Sequence, residues 1–93
     1  MDYLELFNRL IALARPVNAS KAEATSLEQN LKDTGLDSLD LLMIGIYLSD
    51  VFGVDEETAM QGQFTTVGGM CHYFALYGTK KPQTVEEALK DVQ

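Results

Sequence analysis

Apolar residues in this 93-residue chain recur at spacings of three and four, and no segment alternates apolar and polar residues as a strand would. That restricts the chain to helices, and its length restricts it to one domain around a single core. The first helix is expected over residues 3–14, with Tyr3, Leu6, Phe7, Leu10 and Leu13 or Ala14 in one stripe. Asp2 with Glu5 resembles a capping box at its start, and Arg15-Pro16 suits its end. A second helix should begin at Ser38 or Leu39 and run to Phe52, where Gly53 stops it. A short third helix is expected over residues 56–61. A fourth should follow Thr65 or Thr66 as N-cap and end at Gly78, with Val67, Met70, Cys71, Phe74 and Tyr77 along its stripe. Gly68-Gly69 is unfavourable inside that helix, and close packing against a neighbour is one explanation.

The core predicted from these stripes is Leu6, Leu10, Leu42, Ile44, Leu48, Phe52, Val67, Cys71 and Phe74. Residues 16–37 form a long connection rich in Ala, Ser, Asn and Thr, and a loop of this length in a compact domain is functional or partly structured. Leu27 and Leu31 are the residues able to pin it to the core, and Ser26-Leu27-Glu28-Gln29 could cap a helical turn within it. After Gly78 the chain changes character. Pro82 marks a break, Thr84 and Glu87 form a capping box, and Val85, Ala88, Leu89 and Val92 share a face. The expected architecture is therefore all-α: a small four-helix bundle with a long first loop and a short third helix, over residues 1–79. A tail over residues 80–93 adds a further short C-terminal helix.

Charge narrows the function. Between residues 33 and 79 stand seven acids (Asp33, Asp37, Asp40, Asp50, Asp55, Glu56 and Glu57) and no Lys or Arg. The rest of the chain holds seven acids and seven bases, so the net charge of −7 lies wholly in the middle. Such a segment repels nucleic acid and anionic lipid and attracts basic protein surfaces. No apolar run is long enough to span a membrane, and the acidic N-terminus lacks the order of a secretion signal. Cys71 is the only cysteine, which rules out an intrachain disulfide. A cytoplasmic, monomeric protein is expected, and the Asn18-Ala19-Ser20 sequon is then a chance match.

Catalytic and metal signals are weak. His72 lies off the apolar stripe beside Cys71, where sequence neighbours on a helix cannot face one another as a nucleophile pair, and a metal would need more ligands. Cys71 reads as a core thiol and His72 as a solvent-facing residue. The acids of residues 50–57 are spaced by apolar residues that defeat a calcium loop. Met43, Met60 and Met70 read as core or adaptable contact residues. No Ser-His-Asp order or glycine-rich phosphate loop is present, so no catalysis is expected.

The informative run is Asp33-Thr34-Gly35-Leu36-Asp37-Ser38-Leu39-Asp40. Gly35 permits a sharp turn out of the loop. Asp37 or Ser38 then caps the second helix, and a serine there holds its hydroxyl beside unpaired backbone N–H groups and the positive end of the helix dipole. A phosphate ester on that oxygen would sit where helices hold phosphates well. Read alone, the Asp-Ser-Leu triplet is more often a plain N-cap. Here it follows Gly-Leu, opens a strongly apolar helix, and lies in a helical chain with a long first loop and an all-acidic centre.

In this context the sequence resembles the acyl carrier protein family over residues 3–78. The family's motif Leu-Gly-x-Asp-Ser-Leu is matched by Thr34-Gly35-Leu36-Asp37-Ser38-Leu39, and the Thr66-Val67 and Tyr73-Phe74 pairs of the fourth helix look similar too. The resemblance implies a 4′-phosphopantetheine arm on Ser38, flanked by Asp37 and Leu39 and added from coenzyme A by a phosphopantetheinyl transferase. It implies an up-down bundle with no catalysis of its own. It implies partner contacts at Leu39, Asp40, Met43, Ile46, Ser49 and Asp50, joined by the acids Glu56 and Glu57. Acyl-loading and condensing enzymes with basic docking surfaces would be the partners.

Thr34 stands where the family usually has Leu, so the loop is expected to be less anchored there. Met43 stands where fatty-acid carriers often have an acid, which favours a dedicated, fatty-acid-like or polyketide-type pathway. A peptidyl or aryl carrier, and an unmodified helical interaction module, are the alternatives.

Overall fold

The computed structural model describes residues 1–16 and 20–92. Asn18 and Ala19 of the sequon lie outside them. Five helices follow one another: α1 (Tyr3–Ala14), α2 (Ser38–Phe52), α3 (Glu56–Gln61), α4 (Val67–Tyr77) and α5 (Val85–Leu89). One-turn 3₁₀ segments, Leu31–Asp33 and Lys90–Val92, complete the regular structure, and the described residues contain no strand. The only strand-like pairing among them is an isolated antiparallel bridge between Asn30 and Thr66, which ties the first loop to the start of α4.

Side-chain caps set the boundaries. The carboxylates of Asp2, Asp37 and Asp55 and the hydroxyls of Thr66 and Thr84 each accept the N–H three residues on, satisfying one orphan donor of α1 to α5. At the other end of α2, Gly53 adopts a left-handed φ of +69° and its N–H bonds to the Ser49 carbonyl. A side chain could not take that conformation cheaply.

Leu6, Phe7, Leu10 and Ile11 of α1, Ile44, Leu48, Val51 and Phe52 of α2, and Val67, Met70, Cys71 and Phe74 of α4 form the centre of the core. The first loop contributes Ala24, Leu31 and Leu36. Asn8 holds it through two bonds to Ala24, donating Nδ2–H to the carbonyl and accepting the N–H at Oδ1. Gly68 is explained by this loop: its N–H bonds to the Leu27 carbonyl at 2.7 Å, and a Cβ would lie 2.9 Å from that oxygen.

The tail turns back onto the bundle. Its 79–80 segment bonds to the carbonyls of Phe52 and Gly53, and α5 packs on α1 and α2 with Val85, Ala88 and Leu89 buried.

Three expectations are corrected. Leu42, assigned to the core, is 60% exposed; Ile44, assigned there too, is buried, and Val51 joins it in the interior. Asp40, expected on the partner face, is buried, because Arg15 and the Asp37 N–H bind its carboxylate. Thr34 anchors the loop rather than loosening it: it is buried, donates Oγ–H to the Leu31 carbonyl at 2.7 Å, and accepts the Leu36 N–H. At helix ends Leu13 and Tyr77 are also exposed, while Ile11 is buried.

Candidate functional site

The site is built from the turn that delivers the chain into α2. Gly35 has φ +88°, and a Cβ there would lie 3.0 Å from the Lys21 carbonyl oxygen, so the turn and the first loop meet at glycine contact distance. The Glu23 N–H donates to the Thr34 carbonyl across the same seam, and Leu36 is buried beneath it. Asp37 is the N-cap. Its Oδ1 accepts the Asp40 N–H at 2.8 Å, and Asp40 Oδ2 accepts the Asp37 N–H in return, closing a capping box.

Arg15 locks that box from outside. One guanidinium N–H bonds to Asp40 Oδ2, and the other nitrogen donates to the Ser20 carbonyl at 2.7 Å and to Ser20 Oγ at 3.1 Å. The Arg15 and Asp40 side chains are each only 12% exposed, so solvent screens this pair less than a surface pair. Thus α1, the first loop and α2 are tied together one turn from Ser38.

Ser38 is the first residue of α2, and its side chain is exposed on this fixed backbone. The N–H groups of Ser38 and Leu39 open α2 with no carbonyl partner, as the first turn of any helix must. An anionic group at the hydroxyl would meet them and the positive end of the dipole.

Beside Ser38 begins an open groove of about 740 Å³ between α2 and α3. Leu42, Gly45 and Ile46 form one wall, Ala59, Met60 and Phe64 the other, and Met70 and Phe74 the floor. Large apolar side chains stand exposed along it, Leu42 at 60%, Ile46 at 47% and Met60 at 78%, and Leu39, next to Ser38, is 65% exposed. Asp50 and Glu56 are exposed at its far end, Glu57 is exposed beside Glu56, and Met43 is half-buried. The structure therefore places Leu39, Ile46, Asp50, Glu56 and Glu57 at the surface beside Ser38 or the groove, and removes Asp40. Leu42, Gly45 and Met60 line the groove; in so apolar a helix, periodicity does not turn Leu42 outward.

Helix α3 lies lightly on the bundle. None of its residues is buried. Its Thr58 carbonyl accepts the Tyr73 hydroxyl at 2.7 Å, and Tyr73 belongs to an aromatic cluster with Phe64, Phe74 and Tyr77. The Asp55 cap, hydrogen-bonded to Thr58, holds its own carboxyl below the usual carboxylate range. Elsewhere, burial pushes the Cys71 thiol up to about 12, which makes it an inert core group, whereas His72 is exposed against the Tyr3 ring. Among the described residues no cluster of His, Cys, Asp and Glu could hold a metal, and no helix is long and apolar enough to cross a membrane.

A helical bundle with an exposed serine at a helix start and an apolar groove beside it offers an attachment point and a surface. The comparison with known families agrees. Residues 8–74 match the family described as the phosphopantetheine attachment site, and the chain belongs to that family. No curated protein and no solved structure gave a match. Members carry 4′-phosphopantetheine covalently on a serine and act as non-catalytic carriers, so this chain is a carrier protein rather than an enzyme.

The residues present fit such a group. The chain has four serines. Ser49 Oγ donates to the Gly45 carbonyl, Ser20 Oγ accepts from Arg15, and Ser26 is half-buried in the first loop. Ser38 alone opens a helix with its side chain exposed. When bound, the arm supplies a thiol that holds an acyl group as a thioester and so activates its carbonyl.

Proposed function

We propose that Ser38 is the attachment serine and that this chain is an acyl carrier protein serving a fatty-acid-like or polyketide-type specialised pathway. The observation that carries the reading is the apolar groove that opens at Ser38. An acyl chain delivered from Ser38 would find aliphatic and aromatic walls there, and their burial is favourable in proportion to the apolar area covered. A peptidyl or aryl cargo would bring polar groups or a rigid ring to a groove that offers them few partners. The chain's own residues have distinct tasks in this reading. Asp37, Asp40 and Arg15 fix the backbone that presents the hydroxyl. Leu39, Ile46 and the half-buried Met43 supply apolar contact to the transferase and to the loading and condensing enzymes. Asp50, Glu56 and Glu57 steer basic surfaces toward them. Tethering raises the local concentration of the acyl group at each partner.

Intact mass spectrometry after incubation with coenzyme A and a broad-specificity phosphopantetheinyl transferase tests the assignment. The wild type should gain one phosphopantetheine, and Ser38→Ala should gain none. Alkylation at pH 8 should then label the arm's thiol and spare Cys71, which is buried and protonated. A wild type that stays unmodified with several transferases, or a Ser38→Ala protein that is still modified, would sink the proposal.

A further inference from the structure

We infer that Gly45 is a specificity-determining residue: by leaving the α2 wall of the groove bare, it admits a long aliphatic acyl chain onto Met70 and Phe74. The inference rests on the acyl-carrier reading of Ser38 and deepens it. Gly45 is the eighth of the fifteen residues of α2, the position where glycine is least favoured after proline. Several other glycines are constrained by φ or by a close neighbour, Gly62 among them by the Phe64 and Tyr73 side chains. Gly35 and Gly53 have positive φ, and Gly68 lies against the Leu27 carbonyl. Gly45 has neither constraint. Its φ is ordinary, and the nearest atoms that a Cβ would meet are Met70 Cε at 3.7 Å and Phe74 Cζ at 4.0 Å, both at normal contact distance. An alanine would fit the fold, so what the missing side chain leaves is space.

That space belongs to the groove. Gly45 lies seven residues from Ser38, about 10 Å along the helix axis, and both line the same cavity. Leu42 and Ile46 flank it on α2, and Met70 and Phe74 stand behind it. A side chain at position 45 would cover the point where the groove reaches the core. The chemistry of this floor selects the cargo. Met60 and Met70 are unbranched and adaptable, suited to an aliphatic chain. The nearby Ser49 hydroxyl is already engaged with the Gly45 carbonyl at 2.9 Å, so it gives no free donor for a keto or amide group.

The test loads wild type, Gly45→Ala and Gly45→Leu in vitro from acetyl-coenzyme A and from dodecanoyl-coenzyme A. Each loaded form is followed by its melting temperature and by the rate at which hydroxylamine releases the acyl group. Comparing dodecanoyl with acetyl within one variant cancels differences in folding or loading between variants. In the wild type the dodecanoyl form should melt higher and release its acyl group several-fold more slowly than the acetyl form. Gly45→Leu should abolish both differences, and Gly45→Ala should reduce them. The unloaded Gly45→Ala protein should melt at or above the wild type, because the helix interior prefers alanine to glycine. If Gly45→Leu and Gly45→Ala keep the full wild-type difference, the role of Gly45 is overturned. If the wild type loads but shows no difference between the two acyl groups, the groove shelters no chain and the inference fails, while the Ser38 assignment stands. Absence of loading in the mass spectrum overturns that assignment and this inference together.

Discussion

Helix α2 has two faces that are about equally apolar in sequence and that meet opposite fates. On one, Ile44, Leu48, Val51 and Phe52 are sealed in the core against α1 and α4, and the tail helix α5 packs on α1 and α2 as well. On the other, Leu42 and Ile46 stand exposed along the groove, across from an α3 with no buried residue. The difference teaches that hydrophobicity does not decide which face is core. Coverage decides it, and α3 is too short and too lightly held to cover its side. An apolar face left open beside an attachment point is a functional feature, since contiguous exposed apolar surface on a soluble domain marks interaction sites.

Truncation on each face would test the contrast with the largest expected effect. Phe52 is 2% exposed and its ring meets Tyr3 edge-on with centroids 6.2 Å apart, so Phe52→Ala should cost about 3–5 kcal/mol of stability. Leu42→Ala, ten residues earlier on the same helix, should cost no more than roughly 0.5 kcal/mol. Denaturant unfolding of both variants decides the matter. Comparable losses would mean that the groove face is as well packed as the core face, and the comparison would collapse.

A smaller effect is expected at the tail, which lies beyond the residues matched to the family. Leu89 is 5% exposed in a helix of only five residues, too short to persist in water without its docking contacts. Leu89→Ala should therefore cost about 2–4 kcal/mol and release α5 from hydrogen-exchange protection. Unchanged stability with unchanged protection would show that the closed face does not depend on the tail.

Much of this arrangement was legible because its signals are local. Asp37, Thr66 and Thr84 announced their helices as caps three residues from the N–H they accept, and Gly53 announced an end. The attachment run was legible for the same reason. What was not legible depends on contacts distant in sequence. Ten of the fifteen α2 residues are large and apolar, so periodicity alone could not say whether Leu42 points in or out. In sequence Asp40 looks like a surface acid, since carboxylates are rarely buried unless paired, and its partner Arg15 lies 25 residues away. Thr34 looks like a loose substitute for leucine, yet its hydroxyl bonds within the turn do the anchoring. The spare volume at Gly45 depends on Met70 and Phe74 of another helix, and no motif announces it.

The smallest expected effect concerns what keeps the open face open. Helix α3 has no buried residue, and the side-chain hydrogen bond that ties it to α4 runs from the Tyr73 hydroxyl to the Thr58 carbonyl at 2.7 Å. The Tyr73 ring is held independently, by Phe64 at 5.1 Å and Phe74 at 5.6 Å between centroids. Tyr73→Phe therefore removes the bond and keeps the ring packing. Net global destabilisation should be about 0.5–1.5 kcal/mol, the usual worth of one such bond. The informative readout is local. The bond restrains α3, whose opening frees few apolar contacts, so amide exchange in residues 56–61 should accelerate more than exchange in α1 or α2. A uniform acceleration across all helices would mean that α3 opens only when the whole bundle unfolds. The two faces of α2 would then share one stability, and the groove would be a fixed dent in the surface rather than a wall held by a single latch.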